Sequence, residues 1–485
     1  MPMKVLFVSS EVFPLIKTGG LADVSGSLPN ALQGLGVNIR ILMPGYPAVL
    51  KQLTNLQTIG ALHHLPHIDH AELLLGTIQE TQVKVIVIKA AALYERDGGP
   101  YADPSGLEWQ DNPIRFGVLS KAAAILASDH SPIADWRPDI VHCNDWQTGL
   151  APAYMQLTEH SKAKSVISLH NMAFQGCYAP HWVESLGLPS SGFSIEGFEY
   201  HGQLSFLKAG IFYADAITTV SPRYAKEIQT AAFGFGLEGL LSIRGDEIKG
   251  ILNGIEIDEW NPQTDKYLVK NYSHQDLTGK QQVKAALQQS LGLNIDADAP
   301  LLGVVSRLTH QKGLDMLTPH LQTLIDQGCQ FALLGGGEMG LEASFQNIAL
   351  HNPGRASVTI GYNEPLSHQI MAGCDMFIMP SRFEPCGLNQ LYGLAYGTPP
   401  IVNATGGLAD SVVDSNAAHL ANKTANGFVM VEASAEGLLA SITRAMDLFL
   451  HDKNTWLQIQ QTGMSQNLSW DKSAQEYYGL YQTLA

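Results

Sequence analysis

The chain has 485 residues, 45% of them apolar and 15% charged. That length exceeds one ordinary core, so two or three domains are expected, and the composition excludes a disordered chain. With 29 basic against 45 acidic side chains the formal charge is −16, which argues against nucleic acid or an anionic membrane as the main partner but allows an anionic small molecule at a local basic cluster.

Along the chain, short apolar runs alternate with longer amphipathic segments. In the first half, strands are predicted at KVLFVS from Lys4, NIRILMP from Asn38, VKVIVIK from Val83, DIVHCN from Asp139, KSVISLH from Lys164 and DAITTVS from Asp215. The stretch from Gly254 to Lys280 is polar, carries Asn-Pro and lacks periodicity, so the interdomain connection is placed near its start. Strands resume at PLLGVVSRL from Pro300, QFALLGG from Gln330, ASVTIGY from Ala356, DMFIMPS from Asp375 and TPPIVNA from Thr398. Helices are predicted over Gly313–Asp326 and Pro385–Tyr396, and an amphipathic helix from Trp470 to the end. Uniformly apolar strands separated by helices indicate parallel sheets covered on both faces, the α/β doubly wound class. Two Rossmann-like domains follow, with the cleft between them as the default site.

Cys143, Cys177, Cys329, Cys374 and Cys386 are odd in number, widely spaced and without a C-x-x-C pair, which fits free thiols in a reducing cytosol. The N-terminus turns polar too soon for a signal peptide, and no run of about 20 apolar residues predicts a membrane span. The sequons at Asn271, Asn403 and Asn467 are read as chance.

The string TGGLAD occurs twice, at Thr18–Asp23 and Thr405–Asp410. Each copy follows an apolar run and opens a helix. Paired glycines such as Gly19 and Gly20 permit close approach to the backbone, and free N–H groups at a helix start attract anions. A plain tight turn explains glycine content equally.

SRLTHQKG sets Ser306, Arg307 and Lys312 beyond a strand's carboxyl end, where two cations clamp a diphosphate or form a solvated surface pair. In PSRFEPCGLNQLYGLAYG, Glu384 sits at a strand-to-helix junction, suited to hold sugar hydroxyls or to serve the helix dipole. Pro385 suits the first helical position, and Cys386, Gly387 and Leu388 would supply free N–H groups to a phosphate. The Cys386 thiol itself is expected to be a plain buried one. HCNDWQTG and SLHNMAFQG place Asp145, His170 and Asn171 on one rim, for acid–base chemistry, sugar hydrogen bonding or a structural role.

Three patterns are decoys. GGGEMG, Gly335–Gly340, matches G-x-G-x-x-G but lacks an acidic residue about 20 positions on, where Ile360 stands. The acidic pair Asp296 and Asp298 precedes a strand and reads as a solvated turn. His63, His64, His67 and His70 lie among loop-like residues with no carboxylate or cysteine partner, so no metal is assigned.

In order and combination, KTGGLADV, HCNDWQTGLAP, LHNMAFQG, SFLKAG, LNGIEIDEWNP, SRLTHQKG, PSRFEPCGLNQLYGLAYGT and the second TGGLAD resemble the bacterial glycogen synthases of glycosyltransferase family 5, from Lys4 to about Tyr481. The resemblance implies a GT-B fold with an acceptor-side domain over 1–250, a donor-side domain over 251–465 and a helix over 466–485 crossing back to the first. It implies retaining transfer of glucose from ADP-glucose to the non-reducing end of an α-1,4-glucan (glycogen or a maltooligosaccharide), in the cytoplasm, with no cofactor and no metal. By the same resemblance Arg307 and Lys312 bind the diphosphate, Glu384 lies by the donor glucose and His170 near the bond being broken. Lys17 binds ADP-glucose, and Asp23, Asn253 and Tyr362 contact the nucleoside. Asp145, Trp146 and Tyr94 lie on the glucan side, Tyr94 and Trp146 as aromatic surfaces for glucose. Asn389 stands where close relatives often carry Thr, with modest effect expected. Tyr392, eight positions after Glu384, departs from related enzymes that repeat a glutamate there. A double displacement needs a carboxylate nucleophile that none of these residues clearly supplies, so a front-face route is the expectation. A nucleotide-sugar hydrolase, another transferase of the same fold, a non-catalytic glucan binder and an NAD oxidoreductase are the competing classes.

Overall fold

The computed structural model describes residues 2–485. It divides into two compact units: one runs to Asn253 and takes in Trp470–Ala485, the other is Gly254–Ser469.

The first unit holds β1 (Lys4–Val8), β2 (Asn38–Pro44), β3 (Thr54–Leu65), β4 (Ile68–Thr77), β5 (Lys84–Lys89), β6 (Ile140–Asn144), β7 (Lys164–Leu169), β8 (Cys177–Tyr178), β9 (Glu199–Tyr200), β10 (Gln203–Ser205), β11 (Ala216–Thr219) and β12 (Ile248–Gly250). Nine of them form one sheet in the order β12-β11-β7-β6-β1-β2-β5-β4-β3. Its parallel centre is apolar along its length, with Val5, Leu6, Phe7 and Val8 of β1 at 0% exposure, as burial on both faces requires. The chain steps from β1 to β2 on one side and later to β6 on the other. Ligands of open α/β sheets bind beyond the strand carboxyl ends at such a reversal.

One edge departs from expectation. The β3–β4 hairpin is antiparallel, and β4 also pairs antiparallel with β5. The histidine cluster therefore lies in and between paired strands, not in loops: His63 faces His70 directly, with ring centroids 6.3 Å apart. The mostly exposed β3 alternates weakly, which hides it in the sequence. β8, β9 and β10 form a separate antiparallel sheet of strands too short for a periodic signal.

The second unit holds β13 (Leu301–Leu308), β14 (Gln330–Gly337), β15 (Ala356–Ile360), β16 (Met376–Met379), β17 (Pro400–Val402) and β18 (Phe428–Val429), all parallel, in the order β15-β14-β13-β16-β17-β18. The reversal falls between β13 and β16. Leu302, Val304, Phe331, Leu333, Met376, Ile378 and Ile401 pack one face of this sheet against Leu321, Leu324 and Ile442. Each such side chain contributes about 1.5–3 kcal/mol when fully buried. Two predicted helices start late. The first regular α-helix after β13 is Thr318–Asp326, preceded by two 3-10 turns about Gly313, whose φ is +69°. The helix expected from Pro385 begins at Asn389 instead, because Gly387 at φ +71° turns the chain first.

Helix Trp470–Leu484 is bound into the first unit by polar contacts as well as packing. Tyr481 Oη lies 2.6 Å from His142 Nδ1, His142 Nε2 lies 2.6 Å from Ser168 Oγ, and Ser168 Oγ lies 2.5 Å from Thr218 Oγ1. This chain of four groups runs from the helix across β6, β7 and β11. His142 is fully buried, and burial holds its pKa down to about 3. A depressed folded pKa means the unfolded chain takes up the proton first. The stability due to neutral His142 is therefore present above pH 6.5 and lost as pH falls towards 3, at about 1.4 kcal/mol per pH unit. Urea midpoints measured between pH 7.5 and 5 should fall, and fall less steeply in His142→Gln.

Candidate functional site

At the carboxyl end of β13 the chain passes through Ser306 and Arg307 into a tight turn that carries Lys312. Gly313 ends that turn in the left-handed region, and a Cβ there would strike the Pro380 carbonyl. The turn thus lies directly against the end of β16. Lys312 Nζ reaches Glu384 Oε2 at 2.6 Å, and Ser381 Oγ donates to the same oxygen at 3.0 Å. Both members of the ion pair are largely buried, at 16% and 9% side-chain exposure. Arg382 reinforces the junction, with a bidentate pair to Asp315 at 2.7 Å and a bond to the His310 carbonyl. The exposed Arg307 makes no ion pair among the described residues.

The second TGGLAD turn packs backbone against backbone on this site. Gly407 N–H donates to the carbonyls of Glu384 and Pro385, both at 3.1 Å. Gly406 has φ +44°, and a Cβ on it would overlap the Glu384 carbonyl; a Cβ on Gly407 would overlap Cys386. The glycines fix the height of Glu384. Cys386 is buried. The N–H groups of Gly387 and Leu388 donate to no acceptor among the described residues. Asn389 Nδ2 donates to the Val305 carbonyl at 2.6 Å, so this side chain ties β13 to the helix. Tyr362 is 80% exposed, and its hydroxyl donates to Glu364.

The first TGGLAD copy behaves differently. Thr18 and Gly19 N–H donate to Glu11 Oε2 at 2.5 and 3.1 Å, and Tyr101 Oη donates to Glu11 Oε1 at 2.6 Å. The two N–H groups just ahead of the helix already hold an internal carboxylate. Glu11 is buried, and burial raises its pKa. Gly20 opens helix Gly20–Gly34, and Lys17 and Asp23 pair with each other at 2.8 Å. Asn253 is buried, and its Oδ1 finds no partner among the described residues.

Beyond β6 and β7, Asp145 adopts φ +57°, a conformation uncommon for a residue with a side chain. Its Oδ1 accepts from His170 N–H at 3.1 Å and Asn171 N–H at 3.4 Å. Burial raises its pKa to about 7 against the pull of these bonds. Asp145 holds the turn after β7 in place. His170 Nε2 lies 3.0 Å from Asn144 Oδ1, while Asn144 Nδ2 donates to the Val8 carbonyl at 3.0 Å. With the amide oriented by Val8, the ring must donate from Nε2, which leaves Nδ1 as the acceptor. Burial lowers the His170 pKa to about 4. Asn171 Oδ1 caps its own loop by accepting from Ala173 N–H.

Two acceptor assignments are corrected. Tyr94 is 1% exposed and donates to the Arg115 carbonyl at 2.6 Å, so it is core. Trp146 is enclosed by Phe116, Tyr178 and Phe206, and Gly176 lies so close that a Cβ would overlap the indole. Neither ring has a face open to a sugar. Phe174, 56% exposed, is an aromatic presented by the loop after β7. Asn144 and Arg382 were missed because each acts through a partner distant in the chain, and Glu11 and Ser381 because a nearby carboxylate or hydroxyl carries no periodic signal; only the position of each next to a strand end hints at a role.

Residues 4–243 match the starch synthase catalytic domain family, and residues 288–461 match the glycosyl transferases group 1 family. A glycogen synthase of Nitrosospira multiformis is 52% identical over 99% of this chain and 97% of its own. A glycogen synthase of Nitrosomonas eutropha is 51% identical over 99% and 96%. Among solved structures, the catalytic domain of starch synthase IV from Arabidopsis thaliana, bound to ADP and acarbose, superposes with a TM-score of 0.89 at 31% identity, over 100% of this chain and 99% of that one. A sucrose-phosphate synthase from Thermosynechococcus elongatus shares the fold, with a TM-score of 0.59 at 16% identity over 99% of both chains.

Proposed function

Since this chain belongs to the glycogen synthase family of GT-B glycosyltransferases, we propose that it transfers glucose from ADP-glucose to the non-reducing end of an α-1,4-glucan with retention of configuration, in the cytoplasm and with no metal in the chemical step. The observation that carries this reading is the Lys312–Glu384 pair at the β13/β16 reversal, beside the N–H groups of Gly387 and Leu388. Departure of the nucleoside diphosphate builds negative charge on its phosphates. Lys312 and those N–H groups are fixed before the reaction begins, so they would stabilise that charge without reorganising, and the exposed Arg307 stands at the same strand end. Glu384, held at one oxygen by Lys312 and Ser381, keeps Oε1 for a glucose hydroxyl. The second unit would serve the donor and the first the glucan. Lys17, Asp23, Asn253 and Tyr362 remain the proposed further donor contacts.

The relatives' names support a glucan acceptor, and ADP in the Arabidopsis structure supports an adenine nucleotide. Asp145 is a poor nucleophile, since one of its oxygens is spent on two backbone donors. We therefore favour the front-face route, in which the leaving phosphate takes the acceptor's proton. Isolation of a glucosyl-enzyme on any carboxylate would exclude it. The reading is tested by incubating the protein with maltooligosaccharide and either ADP-glucose or UDP-glucose. Chain elongation with ADP-glucose is expected. Nucleotide release without elongation would indicate a hydrolase, and preference for UDP-glucose would overturn the donor assignment.

A further inference from the structure

The polar segment from Gly254 to Leu277 has no regular helix or strand, yet it is firmly attached to its own unit. Trp260 lies between the rings of His368 and Tyr392, each stacked at 3.8 Å. Asp265 is buried and its Oδ2 faces His368 Nδ1 at 2.8 Å and Tyr396 Oη at 2.5 Å. From the same segment Glu259 comes to the other side of His368, beside Glu364.

We infer that Glu259, Glu364 and His368 form a binding site for one divalent cation of the zinc and cobalt class, fastening this segment to helix Glu364–Gly373. Three features carry the inference. Glu364 and His368 are four apart on one helix, so both ligands face the same way. One ligand atom of each of the three residues lies within 4.8 Å of the others. The His368 ring is already set as a ligating imidazole is set: the buried Asp265 carboxylate takes Nδ1, and Nε2 points at the carboxylates.

The spacing favours an ion over a direct bond. His368 Nε2 and Glu364 Oε1 are 3.4 Å apart, long for an N–H···O bond, whose usual length is about 2.9 Å. Two ligands of a tetrahedral ion with bonds of about 2.0 Å stand about 3.3 Å apart. Glu364 Oε2 is steadied by the Tyr362 hydroxyl, so Oε1 is the oxygen presented. Three carboxylates surround one imidazole, and a divalent charge offsets them. One nitrogen with two carboxylate oxygens suits a borderline ion better than calcium or magnesium, which prefer oxygen alone. Without a cation a proton takes the place, which the ion must displace: burial opposes it, but the Asp265 and Glu364 carboxylates outweigh burial and push the His368 pKa up to about 9.

The test uses the full chain, stripped of metal with a chelator and titrated with Co²⁺. One equivalent should bind with visible ligand-field absorption, Zn²⁺ should displace it, and Zn²⁺ should raise the melting temperature. Glu364→Gln should abolish the absorption. Glu259→Gln changes an exposed side chain and so keeps the fold; it should weaken binding at least tenfold. Asp265→Asn should weaken it by roughly 10- to 100-fold, as loss of an outer carboxylate does. Binding unchanged in both Glu259→Gln and Glu364→Gln, or lost instead in a His63→Ala, His70→Ala double variant of the exposed hairpin, would overturn the assignment. So would the absence of saturable binding.

Discussion

Lys312→Ala should lower kcat by roughly 10²–10³-fold, the usual cost of removing one preorganised charge stabiliser, while KM for the sugar nucleotide moves far less. The ammonium does two things in this geometry. On the proposed reading it faces the charge that grows on the departing diphosphate, and it fixes Glu384 through a 2.6 Å contact that is mostly shielded from water. A surface pair is worth about 0–1 kcal/mol; this one is desolvated, so breaking it leaves a buried carboxylate with Ser381 as its remaining side-chain partner. Glu384→Gln keeps the shape and removes the charge, and should cost activity separately by weakening the hold on the glucose hydroxyl. The two losses should not add: a double-mutant cycle on kcat/KM should show coupling of about 1–3 kcal/mol between the side chains. Steady-state kinetics with ADP-glucose and maltooligosaccharide, with melting temperatures as a control for folding, decide the matter. Full activity in Lys312→Ala would remove the cation from the mechanism. Strictly additive losses would show that the pair seen in the structure is not the unit that works.

The contrast between the two TGGLAD strings shows how far local sequence carries. The same six residues open a helix after a strand in both halves, and that much follows from glycine chemistry and the apolar runs before them. What each turn touches does not follow. At Thr405–Asp410 the glycines let the turn lie on the backbone of Glu384 and Cys386. At Thr18–Asp23 the N–H groups close on Glu11, a carboxylate supplied by the strand end just upstream and locked by Tyr101, some ninety residues away. The central strands were legible because burial on both faces makes them uniformly apolar. The β3–β4 hairpin was not, because its exposed strand mixes polar and apolar residues without a clean period. The same limit explains Tyr94 and Trp146. An aromatic residue beside a strand end looks alike in sequence whether its ring faces a ligand or the core, and Arg115 and Gly176, which decide the two cases, lie 21 and 30 positions away.

Asn144→Leu should reduce kcat/KM by roughly 10- to 100-fold, the cost of about 1–3 kcal/mol expected when a buried hydrogen-bonded group loses its partner. Asn144 is fully buried and has no route to a substrate of its own; its amide spans Val8 and His170. That bridge selects the His170 tautomer, protonated at Nε2 with Nδ1 as the acceptor, which on the proposed reading takes a sugar hydroxyl. His170→Ala should cost at least as much, and the double variant little more, because the asparagine acts through the histidine. The pH dependence separates this role from a merely structural one. Burial holds His170 neutral down to about pH 4. Above that value Nδ1 stays an acceptor; below it the ring gains a proton there and can only donate. In the wild type, the acid limb of kcat due to this group should therefore lie near pH 4, not near the ordinary 6.5. Asn144→Asp sets a carboxylate against Nε2, favours the imidazolium and should move the limb upward. Nitrogen NMR of labelled histidine at pH 7 reads the tautomer directly, without turnover. A proton on Nδ1 would mean that His170 donates to the sugar, and the part assigned to Asn144 would fall with it; a wild-type acid limb near 6.5 that disappears in His170→Gln would show that burial does not hold the ring neutral.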